Sequence, residues 1–365
     1  MSARIRRRAA VSLVCALTTG TTLLLTACDP ATGRSAAPAA SSAPSRPSTD
    51  APASPTAAPS ATATPSASAT PTTPAVPTTP AAPRTTAPGV VPAALLNRTA
   101  HTGLTISNGT NLVVMDGTTV DFHTAVRDLS WSPDGSRAAF VDGNGDLVTS
   151  RPDGTGRSLV AKNPGGQSWS HPTWQVSVGY QGGSPKKNLF FTITRDGTTR
   201  LATVPVDGAA HAPAALPLGN YSDENAVALP TTGNTWINGS DRLGTTVYAN
   251  TTDGDVYIRD DYLRQQGGVV TKGSQPAISA DGDSLVFVRP VGGHNHVFRQ
   301  SLRTEDRTAK DLTPYAGEDF TEPAWSRDGK TVAVRTPAGI AVLPADGSAA
   351  PELVSSVRGL PAYRG

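Results

Sequence analysis

The stretch LSWSPDGSRAAFV, Leu129 to Val141, places a Ser-Pro-Asp-Gly turn between two short apolar runs. It returns as PAISADGDSLVFV from Pro276 to Val288 and as PAWSRDGKTVAVR from Pro323 to Arg335, and a turnless cousin, HPTWQVSV, begins at His171. Aligned on this motif, Trp131, Trp174, Ile278 and Trp325 are equivalent. Two further runs follow each motif, such as DLVTS and RSLVA after the first copy or GIAVLP and APELVSS after the last. Four short strands per repeat of roughly 40–50 residues is the signature of one blade of a β-propeller.

The composition around the motif agrees. From residue 100 onward, ten Asp-Gly dipeptides punctuate short β-branched runs, and no amphipathic helical pattern of useful length interrupts them. Asp-Gly between apolar runs marks hairpins, because glycine tolerates the positive φ that tight turns require. The expected class is therefore all-β. Five four-stranded units fit, at 127–163, 168–218, 221–273, 274–316 and 319–357. GLTISN, TNLVVMDG and TTVDFHTA before them supply three strands, and GLPAYRG after them a fourth. A six-bladed propeller of four-stranded antiparallel blades, closed by strands from both ends, leaves no sheet edge open. A five-bladed ring with 100–125 as a cap is the alternative.

The first 28 residues belong to export, not to the fold. MSARIRRR carries four arginines and no acid; an apolar run and small residues follow. This is a signal peptide rather than a spanning helix, and it is compatible with either the general or the twin-arginine route. Leu25-Thr26-Ala27-Cys28 resembles the lipobox of bacterial lipoproteins. That resemblance implies cleavage after residue 27 and lipid attachment at Cys28, palmitate included. It places the protein outside the cytoplasm, anchored to the outer leaflet of the cytoplasmic membrane or in the cell wall. The other cysteine, Cys15, lies in the segment to be removed. The mature chain is thus expected to have no disulfide and no thiolate metal site.

Residues 28–98 read as a tether. Between Asp29 and Arg98 there is no Phe, Trp or Tyr, and 15 of the 32 prolines fall there. Such a segment buries too little apolar surface to offset chain entropy, and is expected to be a disordered linker. Extended at about 3.1 Å per residue, it reaches on the order of 200 Å. The propeller then occupies 99–365. Net charge is +2 for the whole chain and about −2 once the signal is removed, so no nucleic-acid partner is implied.

Trp-Ser-Pro-Asp-Gly followed by an apolar strand resembles the WD-like repeats of TolB-type propellers, over most of 127–357. With the lipobox and the Ala/Pro/Thr-rich spacer, the chain is similar to TolB-like repeat lipoproteins of actinobacterial type. The resemblance implies a propeller of the cell envelope that docks a protein or peptide near its central channel. This chain departs from TolB in having no α/β domain before the propeller.

Strand order locates the working face. In a four-stranded meander, the first–second and third–fourth turns share one face, and the second–third turns and blade-to-blade links share the other. The links NPGGQSWSHP, PLGNYSDEN and TPYAGEDFTEP are rich in side chains and lead into the inner strands. Functional groups concentrate on such loops. The candidate partner-binding residues are therefore Trp169, His171, Tyr221, Asp223, Glu224, Glu318, Asp319 and Glu322, an acidic, aromatic-edged mouth suited to a basic peptide, a sugar or a cation. GYQGGSPKK (179–187) and TTGNTWINGSDRLG (231–244) read as long insertions on the opposite, tighter face.

Three chemical motifs dissolve on inspection. Asp142-Gly-Asn144-Gly-Asp146 starts like a calcium loop but lacks Gly at position six and Glu at position twelve. His294 and His296 share a strand face without a third ligand nearby in sequence. Gly282-Asp283-Ser284-Leu285 spells a hydrolase motif, but Ser284 aligns with Arg137 and Thr331 as an ordinary strand start. No catalytic set, metal or cofactor is expected. The functional expectation is a non-catalytic, lipid-anchored module that binds an envelope protein or peptide. The alternative is a propeller enzyme acting on sugars or lactones through mouth carboxylates. For the anchor, Cys28→Ala is expected to yield a product without acyl mass that is recovered in the soluble rather than the membrane fraction, as measured by intact-mass spectrometry and fractionation.

Overall fold

The repeated turn is built the same way in three blades. Ser132, Ser279 and Ser326 each donate a hydroxyl hydrogen bond to the aspartate two residues on, Asp134, Asp281 and Asp328, at 2.5, 2.6 and 2.7 Å. Each serine hydroxyl also accepts the amide of the residue that opens the next strand, Arg137, Ser284 or Thr331, at 3.0 Å. The glycine amide closes the turn onto the serine carbonyl at 2.8–3.0 Å. These bonds hold the Asp134 carboxyl at about 2, with Ser132 the largest contributor and Ser136 the next. Ser-x-Asp-Gly recurs because hydroxyl, carboxylate and glycine each fill one place in a single hydrogen-bonded turn.

A computed structural model describes residues 95–177, 186–219, 228–241, 244–260 and 267–365. Every regular element among them is a strand, and these form six four-stranded antiparallel sheets. Blade I joins β24 (Leu360–Tyr363) to β1 (Leu104–Ser107), β2 (Leu112–Met115) and β3 (Thr118–Asp121). Blade II contains β4 (Arg127–Trp131), β5 (Ala138–Val141), β6 (Leu147–Ser150) and β7 (Ser158–Ala161). Blade III contains β8 (Ser168–Ser177), β9 (Lys186–Arg195), β10 (Thr198–Pro205) and β11 (Ala214–Ala215). Blade IV contains β12 (Asn234–Gly239), β13 (Thr246–Asn250), β14 (Asp255–Arg259) and β15 (Gly267–Lys272). Blade V contains β16 (Ser274–Ile278), β17 (Ser284–Val291), β18 (His294–Ser301) and β19 (Lys310–Asp311). Blade VI contains β20 (Thr321–Trp325), β21 (Thr331–Thr336), β22 (Gly339–Pro344) and β23 (Glu352–Ser355). The inner strands touch in the cyclic order β24, β4, β8, β12, β16, β20. The ring has six blades and is closed by the last strand pairing with the first, Leu104 opposite Tyr363 and Ser107 opposite Leu360.

Stability lies between blades. Trp131 and Trp325 end their inner strands and Trp174 lies three residues before the end of its own; all three are buried at 4–8% exposure, and each indole reaches back one blade. Trp131 Nε1 donates to Thr105 Oγ1 at 2.9 Å, Trp174 Nε1 to the Ser130 carbonyl at 3.4 Å, and Trp325 Nε1 to the Ala277 carbonyl at 3.0 Å. Where the indole is missing, the backbone takes over. Gly239 N donates to Thr173 Oγ1 and Ile278 N to Asn238 Oδ1, both at 2.9 Å. Gly239 must be glycine for close approach, since a Cβ there would stand 2.8 Å from the Trp174 carbonyl.

The segment 231–244 is not an insertion on the tight face. NTWING is β12, the inner strand of blade IV, and it is the repeat that the motif alignment could not see. Residues 178–185, most of the other supposed insertion, lie outside the described residues. The Asp142–Asp146 segment is a β5–β6 hairpin whose Asp142 Oδ1 accepts the amides of Asn144 and Asp146 at 2.8 and 3.1 Å. His296 pairs with Asp311 through Nδ1 at 2.8 Å, and no group of three potential metal ligands occurs among the described residues. Trp325→Ala deletes both an interblade wedge and its hydrogen bond. Urea unfolding is expected to show a loss of about 3–5 kcal/mol.

Candidate functional site

Five of the six inner strands carry an extra residue near their start. The register slips by one between Arg127 and Ser130, Ser170 and Thr173, Thr235 and Asn238, Ser274 and Ala277, and Thr321 and Ala324. Within each bulge one non-glycine residue is left-handed: Asp128 at φ +56°, His171 at +51°, Trp236 at +50°, Gln275 at +49° and Glu322 at +50°. Such a conformation is uncommon for any L-residue and an outlier for a bulky one such as tryptophan. A bulge re-aims the side chain it carries. Here all five side chains line one cavity of 170 Å³ on the ring axis. The sixth strand, β24, pairs without a slip and contributes Leu360 to the wall.

Two of the strained amides are satisfied by the preceding blade. His171 N donates to Asp128 Oδ2 at 3.1 Å, and Glu322 N to Gln275 Oε1 at 2.6 Å. Each of these bonds runs from one blade to its predecessor. Asp128 and Gln275 thus each supply both a group facing the channel and an acceptor for the next bulge.

His171 and Glu322 stand on opposite blades, III and VI, and meet across the axis with Nε2 3.5 Å from Oε2. Their side chains are 24% and 17% exposed. The contact is an ion pair but not a well-formed hydrogen bond, and both imidazole nitrogens are buried with no hydrogen-bond partner. Trp236 Nε1 donates to the other Glu322 oxygen at 3.3 Å, and its ring meets the imidazole edge-on at 6.1 Å between centroids. Burial pulls the His171 pKa down. Glu322 and then Asp128 outweigh that pull, against a weaker opposing effect of Arg335, and the net shift is upward from 6.5. For Glu322, burial pushes the carboxyl up, but His171, Trp236 and Arg335 together bring it below its ordinary 4.5.

The other end of the cavity is occupied by a side chain of the protein itself. Arg327, on the turn that follows β20, pairs with Asp241 of blade IV through Nη1. Its Nη2 donates to the carbonyls of Trp131 and Ser132 in blade II at 3.3 and 3.2 Å. One guanidinium thus ties three blades together over the axis.

Of the residues singled out from the sequence, His171 and Glu322 come together at the mouth. Glu318 and Asp319 are exposed on the link into β20, beside Tyr315, which is 98% exposed. Asp319 Oδ1 caps the amide of Asn295 at the start of β18, just after the second–third turn of blade V, at 2.8 Å, so links and those turns do share a face. Trp169 is corrected: at 1% exposure it packs on Phe191 in the core between blades and presents nothing to a ligand. Tyr221, Asp223 and Glu224 lie outside the described residues, as does Cys28. Sequence reading missed Asp128, Trp236 and Gln275. They share no residue type, only their place three residues before the Trp-equivalent position.

No protein-family profile matches the sequence, and no curated protein does. Solved structures do match. The chain is similar to TolB from Acinetobacter baumannii, 16% identical, over 72% of this chain and 65% of that one, with a TM-score of 0.50. It is also similar to a putative TolB from Agrobacterium tumefaciens, again 16% identical, over 72% of this chain and 90% of that one, with a TM-score of 0.48. The chain spans less than two thirds of the length of the Acinetobacter protein. At this identity the likeness establishes a shared propeller fold.

The His171–Glu322 pair has a signed pH signature. A raised imidazole contributes stability below pH 6.5 that is lost as pH rises through its folded value. A lowered carboxyl contributes stability above pH 4.5 that is lost as pH falls through its folded value. The destabilisation caused by Glu322→Gln, measured by urea unfolding, is expected to be largest at about pH 5–6 and to shrink toward alkaline pH.

Proposed function

We propose that this chain is a lipid-anchored, extracytoplasmic, non-catalytic propeller that binds a protein or peptide partner of the cell envelope at the mouth formed by His171 and Glu322. The observation that carries this reading is the set of five left-handed bulges. Each aims a polar or aromatic group at one axial cavity, and backbone strain of this kind concentrates where side chains are held for a ligand. The link loop bearing Tyr315, Glu318 and Asp319 extends the surface outward, adding a fully exposed aromatic and two carboxylates. The export signal, the lipobox at Cys28 and the Pro-rich tether of 28–98 supply the location and the reach. Removal of residues 1–27, attachment at Cys28 and an extended linker before the propeller complete the proposal.

Size argues against an enzyme for sugars. The cavity of 170 Å³ is smaller than the roughly 300–1,000 Å³ of ordinary ligand pockets, so it takes a side-chain tip more readily than a sugar ring. In envelope extracts, the full chain is expected to retain a partner that is lost when Glu318, Asp319 and Glu322 are changed together to Gln, Asn and Gln. Equal recovery by both proteins would remove the mouth from the binding surface. Turnover of glycosides or lactones abolished by Glu322→Gln would replace docking with catalysis.

A further inference from the structure

Resting on the docking reading, we infer that the mouth is a receptor for a single organic cation, the guanidinium or ammonium tip of a partner's arginine or lysine, which takes the place of the His171 imidazole on Glu322. Three independent features of the cavity lead there. The first is its donor set. Asp128 and Glu322 bring two carboxylates to one end of the channel, and Trp236 adds an indole beside Glu322. Paired carboxylates are the groups that hold an ammonium or a guanidinium, through charge-assisted hydrogen bonds, and the indole N–H fixes the orientation of Glu322.

The second feature is the occupant of the far end. Arg327 shows how this channel binds a guanidinium: one carboxylate, Asp241, with the carbonyls of Trp131 and Ser132 on the opposite side. The mouth repeats that chemistry, and among the described residues Arg327 is the only arginine lining the cavity. Arg335, whose charge acts on both His171 and Glu322, is exposed on β21, where its Nε donates to Thr321 Oγ1 at 3.2 Å.

The third feature is the quality of the resident contact. His171 stands at 3.5 Å from Glu322 with two buried, unpartnered ring nitrogens. A guanidinium can offer Glu322 two parallel hydrogen bonds where the imidazole offers a long, poorly aligned one. Displacing the ring therefore exchanges a weak contact for a strong one.

A consequence is proton coupling. The groups facing His171 are Glu322 across the axis, Asp128 from blade II and the more distant Arg335. A protonated imidazole competes with an incoming cation for the same carboxylates, whereas a neutral one does not. Cation affinity must then rise with pH, and binding must release protons by linkage.

The test uses the full chain and acetyl-Gly-Gly-Arg-Gly-Gly-amide, with the citrulline peptide as its uncharged isostere, by titration calorimetry at pH 5.5 and 8.5. Expected are at least tenfold tighter binding of the arginine peptide than the citrulline peptide at pH 8.5, and at least tenfold weaker arginine binding at pH 5.5. Glu322→Gln is expected to lose tenfold or more, and His171→Gln to lose most of the pH dependence. Should either variant unfold, proton release measured on the unmodified chain in two buffers of different ionisation enthalpy decides the matter, and none released overturns the proposal. Argininamide binding as tightly as the peptide would assign the site to a free cation and overturn the partner side chain as its source. Equal binding of arginine and citrulline peptides overturns the cation, even if the extract experiment still recovers a partner through the mouth. In that case docking stands without this chemistry.

Discussion

A ring of sheets exists only if each blade is held by the one before it. In this protein that requirement is met at a single recurring position of the inner strand, three residues after the left-handed bulge residue. Three tryptophans reach back with their indole N–H groups, to Thr105, Ser130 and Ala277. At Gly239 and Ile278 the backbone amide does the same through Thr173 and Asn238. The packing is apolar, but the direction is polar: each bond points to the preceding blade, so the chain propagates one geometry around the axis. The sixth joint differs: β24 returns from the C-terminal end of the chain to pair with β1, and its Tyr363 packs on Ala333 and Ile340 of blade VI.

The bulges follow from the same constraint. Inner strands crowd toward an axis, and an extra residue near the start of five of them turns one side chain each into the channel. Proline follows the left-handed residue at 172, 276 and 323, where a missing N–H costs no ladder bond. The side chains so placed are not interchangeable. Asp128 and Gln275 accept the strained amides of His171 and Glu322, and they double as structural supports for the pair that spans the mouth.

Much of this architecture was readable from residue order. Ser-x-Asp-Gly and the Trp positions marked blades II, V and VI, because turn and wedge each demand particular residue types. GLPAYRG was recognisable as the closing strand because the three strands before the first repeat lacked a fourth, and its Leu360-Pro361-Ala362-Tyr363 indeed parallels Glu322-Pro323-Ala324-Trp325. Blade IV hid its inner strand because Gly239 replaces the wedge and Ser240-Asp241 replaces the usual turn. The site was legible only in part. His171 and Glu322 stood out as polar groups on links, but Trp169 was mistaken for their companion when it belongs to the core. Asp128, Trp236 and Gln275 carry no shared chemistry; what unites them is backbone geometry, which residue identity alone does not report.

The Arg327 bridge makes the axial hole a cul-de-sac. A pore open at both ends would let a strand thread through or solvent sweep across. With blades II, IV and VI stitched together behind it, whatever occupies the cavity must leave by the door it used. An occupant would enter and leave on the His171 side, and a long polymer would be held by its fingertip alone.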